Sequence, residues 1–143
     1  MYNSPYFKSA VMAVNTASQA LAAGEAIAYS TNNLLAGCAI SHTAGSADVV
    51  LSRAGLYSIS FSADFIPSAA GNVTFQITAN GTSIAGAEAT VTAAADATSH
   101  VALSALVQVL PSCPAIDNTT VLQVLVSAAA TLSSTAVIVV KQA

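Results

Sequence analysis

From about residue 24 onward, apolar and polar side chains alternate with a period of two, the mark of strands that bury one face, and turn residues interrupt the alternation at short intervals. Residues 55–65 show it most clearly. Tyr57, Ile59, Phe61, Ala63 and Phe65 fall on one side, and Ser58, Ser60, Ser62 and Asp64 on the other. Pro67, Ser68 and Gly71 then stop the run, and residues 72–79 resume it with Val73, Phe75 and Ile77 on a single face. Asn80-Gly81 follows, the pair that best tolerates the two positive φ angles of a type I′ hairpin, so residues 82–84 begin a returning strand. Further strands are predicted at residues 25–30, 36–43, 47–53, 87–93, 99–110, 119–127 and 135–142. About ten short strands with no helices between them predict an all-β sandwich or barrel rather than a βαβ fold.

Two stretches complicate the pattern. Residues 85–97 are rich in Ala and favour helix by propensity, yet Ala-Glu-Ala-Thr-Val-Thr-Ala at 87–93 alternates cleanly, so strand is expected there. Near the N-terminus, Val11, Val14, Ser18 and Leu21 recur at spacings of three and four, which predicts a short amphipathic helix or a few turns of a symmetric bundle. Ahead of them, Tyr2, Tyr6 and Phe7 crowd three of the chain's eight aromatics, four Tyr and four Phe, into a terminus that ordinarily frays. That concentration points to an arm that docks, either on its own domain or on a partner.

Composition sharpens this picture. Of 143 residues, 55% are hydrophobic and 6% charged, against roughly 25% charged in an ordinary soluble domain. Mean hydropathy of +0.69 excludes a disordered chain. A surface of Ala, Ser, Thr and Val with a net charge of −3 predicts association between copies. Three basic residues, Lys8, Arg53 and Lys141, are too few to neutralise a run of phosphates, so no nucleic-acid partner is expected. Residues 118–140 carry no charge, but they hold nine polar side chains from Asn118 to Thr135 and break around a small-residue turn; a membrane span is not expected. The apolar stretch at 10–14 is too short for the core of a secretory signal.

Catalytic raw material is sparse. The two His, two Cys and six carboxylates are scattered, and neither G-x-S-x-G, H-E-x-x-H, a Gly-rich phosphate loop nor C-x-x-C occurs. Cys38 and His42 lie near each other in sequence and would need His100 and Cys113 to complete a four-ligand metal site. Two half-buried or surface histidines and two small buried cysteines are the simpler account. The sequence therefore predicts no enzyme, no cofactor and no metal. The sequons at Asn72, Asn80 and Asn118 would matter only in a eukaryotic secretory pathway.

Gly55-Leu-Tyr-Ser-Ile-Ser-Phe61, then Gly71-Asn-Val-Thr-Phe-Gln-Ile77 with Asn80-Gly81-Thr82, and the closing Ser134-Thr-Ala-Val-Ile-Val-Val-Lys141 resemble the trimeric jelly rolls of the tumour-necrosis-factor and complement-globular-head superfamily. The resemblance covers roughly residues 18–143 and is nearest to the C-terminal domains of collagen-like exosporium glycoproteins. It implies a ten-stranded antiparallel jelly roll forming a tight homotrimer, with one sheet facing the threefold axis. It places Tyr57, Ile59, Phe61 and Phe65 in the core, and Ser58, Ser60, Ser62 and Asp64 toward sister subunits. By the same alternation Ala102, Ser104, Leu106 and Gln108 are interface candidates, with Leu103, Val107 and Val109 inside.

Residues 1–54 contain no collagen-like Gly-X-Y run. Residues 1–20 are instead expected to form an anchoring arm bearing Tyr2, Pro5, Tyr6 and Phe7, and residues 21–143 the jelly roll. Stalkless proteins of this type resemble capsid decoration proteins and head fibres of tailed phages. The functional expectation is a non-enzymatic homotrimer on a virion surface, held to a capsid or other virion protein by its arm. The alternatives are a glycan-binding or receptor-binding adhesion module and a structural protein of a bacterial spore or cell surface.

Overall fold

The computed structural model describes residues 9–111 and 119–143. Tyr2, Pro5, Tyr6, Phe7, Lys8 and Cys113 lie outside that range. Eleven strands and no helix occur among the described residues: β1 Ala10–Asn15, β2 Gln19–Leu21, β3 Thr31–Ala36, β4 Ile40–His42, β5 Val49–Leu51, β6 Gly55–Pro67, β7 Gly71–Ala79, β8 Thr82–Ala93, β9 Ser99–Val109, β10 Thr120–Val126 and β11 Ala130–Lys141. They form two sheets in the orders β3-β1-β11-β6-β9, with β2 also on β11, and β4-β5-β10-β7-β8. Each successive connection from β8 to β11 carries the chain from one sheet to the other, and all named pairs are antiparallel. This is the expected jelly-roll sandwich.

Strict alternation builds the core. Tyr57, Ile59, Phe61, Ala63 and Phe65 of β6 are all buried and meet Val73, Phe75 and Ile77 of β7 from the opposite sheet. Phe75 packs between Phe61 and Phe65, with ring centroids 5.9 and 5.0 Å away. Leu122, Val124 and Val126 of β10 and Leu132, Val137 and Val139 of β11 complete the layer. Within the uncharged run, residues 120–126 and 130–140 are thus core strands, and no helix long and apolar enough to cross a membrane occurs among the described residues. Tyr29 lies fully inside, and burial pushes its phenol well above the ordinary tyrosine range because the charged form loses its water.

The hairpin at Asn80-Gly81 has the expected left-handed pair of residues, with φ of 51° and 82°. The strands expected at 82–84 and 87–93 fuse into one, β8. Gly86, at φ 83°, accommodates an irregularity in its pairing with β7 between Gln76 and Thr78. The Gln76 amide caps that irregularity by donating to the carbonyls of Ile77, Ile84 and Ala87.

Three expectations are corrected. Residues 10–15 are not helical: β1 is inserted between β3 and β11, with Val11 and Ala13 buried and Val14 turned to the opposite face. Neighbours on both sides satisfy its backbone, which overrides the three-and-four spacing. Residues 25–30 form no strand but a single bridge, Ala26 to Leu125; the Gln19 side chain instead takes both the N–H and the C=O of Ala28, each at 2.9 Å. The strand expected over 36–43 is split by a turn at Gly37, so that β3, which was not expected, precedes it and β4 follows.

Candidate functional site

The register of the six-stranded sheet decides which side chains share its outer face. Met12 of β1 lies between Leu34 and Ile138; Ile138 pairs with Ser60, and Ser60 with Ser104. One row therefore crosses five strands as Leu34, Met12, Ile138, Ser60, Ser104. The next reads Ala36, Ala10, Val140, Ser58, Leu106, and on the other side Val14, Ala136, Ser62, Ala102. These rows contain no charged residue. Leu34, Ile138 and Leu106 are 52, 40 and 64% exposed, and Ser60, Ala102 and Ser104 are exposed as well.

Small side chains make the middle of this face concave. Ser60, Ser62, Ala102, Ser104 and Ala136 form the floor of a shallow trough bounded by Ile138. Among the described residues, the hydroxyls of Ser60, Ser62 and Ser104 make no hydrogen bond within the chain. Ser58 differs, accepting from the Gln142 amide at 2.9 Å. The charge on this face sits at one end, where His100 Nδ1 and Asp64 Oδ1 are 2.7 Å apart. It is the one contact among the described residues that can become an ion pair, which it does when His100 is protonated.

All eight candidates from the sequence therefore come together on two adjacent strands. Ser58, Ser60, Ser62 and Asp64 lie on β6, with Ala102, Ser104, Leu106 and Gln108 on β9; within these, Ser58 pairs with Leu106, Ser60 with Ser104 and Ser62 with Ala102. Leu103 is partly buried against the core, with Val107 and Val109 fully inside. Sequence reasoning missed the other half of the face: Met12, Leu34, Ala136, Ile138 and Val140. Alternation in residues 135–142 held the signal for Ala136, Ile138 and Val140, but only the sheet order places them beside Ser60.

Of the conceivable metal set, Cys38, His42 and His100 are described and Cys113 is not. His42 is buried, with Nδ1 2.5 Å from Asn32 Oδ1 and Nε2 2.8 Å from the Ser46 carbonyl, whereas His100 faces Asp64, and Cys38 is exposed rather than buried as expected. No group of three His, Cys, Asp or Glu able to hold a metal occurs among the described residues.

No family model and no curated protein matches the sequence. Solved structures do match the fold. Murine APRIL at pH 5.0 superposes with a TM-score of 0.70 at 12% identity, covering 95% of this chain and 100% of that one. The globular domain of zebrafish complement 1qA protein gives 0.68 at 11% identity, covering 96% and 98%. The PRD1 vertex protein P5 gives 0.58 at 15% identity, covering 94% and 97%. At these identities the likeness is one of fold, the two-sheet antiparallel jelly roll described above.

Proposed function

We propose that this chain is a non-enzymatic, homotrimeric structural module on a virion surface, with sister copies covering the outer face of the β3-β1-β11-β6-β9 sheet. The observation that carries the reading is that face: charge-free rows over five strands, exposed leucine and isoleucine, and serine hydroxyls without internal partners. Exposed apolar patches of this kind mark interaction surfaces. Small residues allow sheets to approach closely, and a self-complementary set of identical subunits closes without leaving the patch wet. Likeness of fold to a vertex protein supports the virion setting, and the aromatic segment with Tyr2, Pro5, Tyr6 and Phe7 supplies the anchor on a capsid or other virion protein.

Light scattering on the purified chain tests the assembly: the expected mass is three times 14.2 kDa, and a lone 14.2 kDa species overturns it. Attachment is tested by deleting residues 2–8, a truncation that stops short of β1. The shortened protein should remain trimeric yet no longer band with particles in a density gradient. Continued banding overturns the anchor.

A further inference from the structure

Of the chain's seven asparagines, Asn80 alone is followed by glycine, and the two residues form the turn that joins β7 to β8. Both are exposed, and a Cβ built on Gly81 would meet nothing within 4 Å. The Gly81 main-chain nitrogen is therefore shielded neither by a side chain of its own nor by a neighbour. The Asn80 amide nitrogen has no hydrogen-bond partner among the described residues.

These are the requirements of spontaneous deamidation. The Gly81 nitrogen attacks Cγ of Asn80 and closes a five-membered imide, while Nδ2 leaves as ammonia with the proton that the attacking nitrogen gives up. Water then adds to one of the two imide carbonyls and opens the ring to aspartate or isoaspartate. The folded hairpin opposes the first step twice over. At φ 51° Asn80 is left-handed, a conformation with ψ of about +47°, which turns the following nitrogen away from the residue's own side chain. Ring closure needs that nitrogen and Cγ on the same side of the Cα–C bond. The side chain is also tied down: Oδ1 accepts from the Val121 N–H at 2.8 Å, and the Asn80 N–H donates to the Val121 carbonyl at 2.8 Å. Both ties bind the hairpin to the start of β10.

We infer that Asn80 is a deamidation site guarded by its own turn, reacting only when the β7–β8 hairpin opens away from β10. Exposed turns open locally at a lower free energy than the core unfolds. The modification is irreversible and adds one negative charge to a chain of net charge −3. In the isoaspartyl product the main chain between residues 80 and 81 is longer, so a two-residue turn no longer closes Ala79 onto Thr82. An aged chain carries a record of how often this hairpin has opened.

The test is peptide mapping by mass spectrometry of the intact chain incubated at mildly alkaline pH, native and in denaturing urea, beside hydrogen exchange at the Val121 amide. In urea, Asn80 should show the amide-to-acid mass change before the other six asparagines. Gly81→Ala, compared in urea so that its folding does not matter, should slow the change by about tenfold, because the added methyl group shields the nitrogen. In the native chain Asn80 should react about tenfold or more slowly than in urea, and the Val121 amide should be protected to a similar degree. Another asparagine reacting first in urea, or an unchanged rate in Gly81→Ala, overturns the site. Equal rates in the native and denatured chains, or slowing beside an unprotected Val121 amide, overturns the guard.

Discussion

The sandwich has two outer faces, and they handle their surface in opposite ways. On the β4-β5-β10-β7-β8 sheet, polar side chains are tied to one another: Thr74 and Thr90 hydroxyls lie 2.8 Å apart, Thr92 donates to Asn72 at 2.7 Å, and the Gln123 amide reaches Asp48 at 2.5 Å. Glu88 stands opposite Gln76 in the same array. Cross-strand polar pairs of this kind stabilise a sheet that faces water. The other face has neither ladders nor charge in its central rows, and it exposes Leu34, Ile138 and Leu106 instead. One sheet is finished as a surface. The other is left as a surface awaiting cover, which is why the proposed assembly is assigned to it alone.

The largest effect expected from this contrast comes from a charge placed at the centre of each face. Ser60→Arg sets a cation between Ile138 and Ser104, and in a trimer three such charges lose water with no counter-ion, at a cost on the order of several kcal/mol each. Light scattering should report the mass falling to that of a single chain. Thr90→Arg, the matched change on the ladder face, should leave the mass unchanged. Equal behaviour of the two variants would erase the distinction between the faces.

How much of this was legible beforehand follows the physics of pairing. Strands with unbroken alternation and aromatic or β-branched inward positions, such as β6, β7 and β10, stand out in the sequence because each needs only its own residues to reveal a buried side. The Asn80-Gly81 turn is equally local. β3 does not stand out, because its Thr-Asn-Asn start is poor in strand formers and its register with β1 shifts between Met12 and Ala13. β1 hides behind Val11 and Val14, whose spacing of three mimics a helix although the two point to opposite sides. The loop over 25–30 takes its strand-like shape from Gln19, nine residues away from the backbone it serves. Half of the candidate face was visible for the same reason as the core, through the serine row of β6 and its partner on β9. The rest depends on β1 and β11 lying beside β6, and long-range order of that sort leaves no trace in any single segment.

A smaller effect is expected from Ile138→Ser, which removes apolar surface without adding charge. If the face is covered, each protomer loses about 1.5–3 kcal/mol of burial, and the assembly should dissociate at higher concentration on dilution. In the single chain Ile138 is already 40% exposed, so the unfolding midpoint of an isolated protomer should barely move. Sedimentation over a dilution series separates the two effects, and a midpoint shift without any change in association would return Ile138 to the role of an ordinary surface residue. Next in size is the paired change Thr74→Val with Thr90→Val. Breaking that hydroxyl contact should lower stability by about 0.5–1 kcal/mol in urea unfolding, with mass unchanged, as befits a face already complete by itself.

The smallest effect bears on where the covered area ends. Asp64 and His100 pair across β6 and β9 at 2.7 Å, beyond the row of Ser62 and Ala102, and their side chains are 45 and 62% exposed. An exposed pair of this kind contributes about 0–1 kcal/mol and is screened by salt, whereas a pair sealed beneath a sister subunit would be costly to break and indifferent to salt. With His100 protonated, Asp64→Asn should therefore lower the stability of the assembly by less than about 1 kcal/mol at low ionic strength, and the difference should vanish in about 1 M salt. That outcome draws the edge of the interface between Ser62 and Asp64. A loss of more than about 2 kcal/mol that persists in salt would instead place the Asp64 carboxylate beneath the neighbouring copy and extend the covered face by one further row.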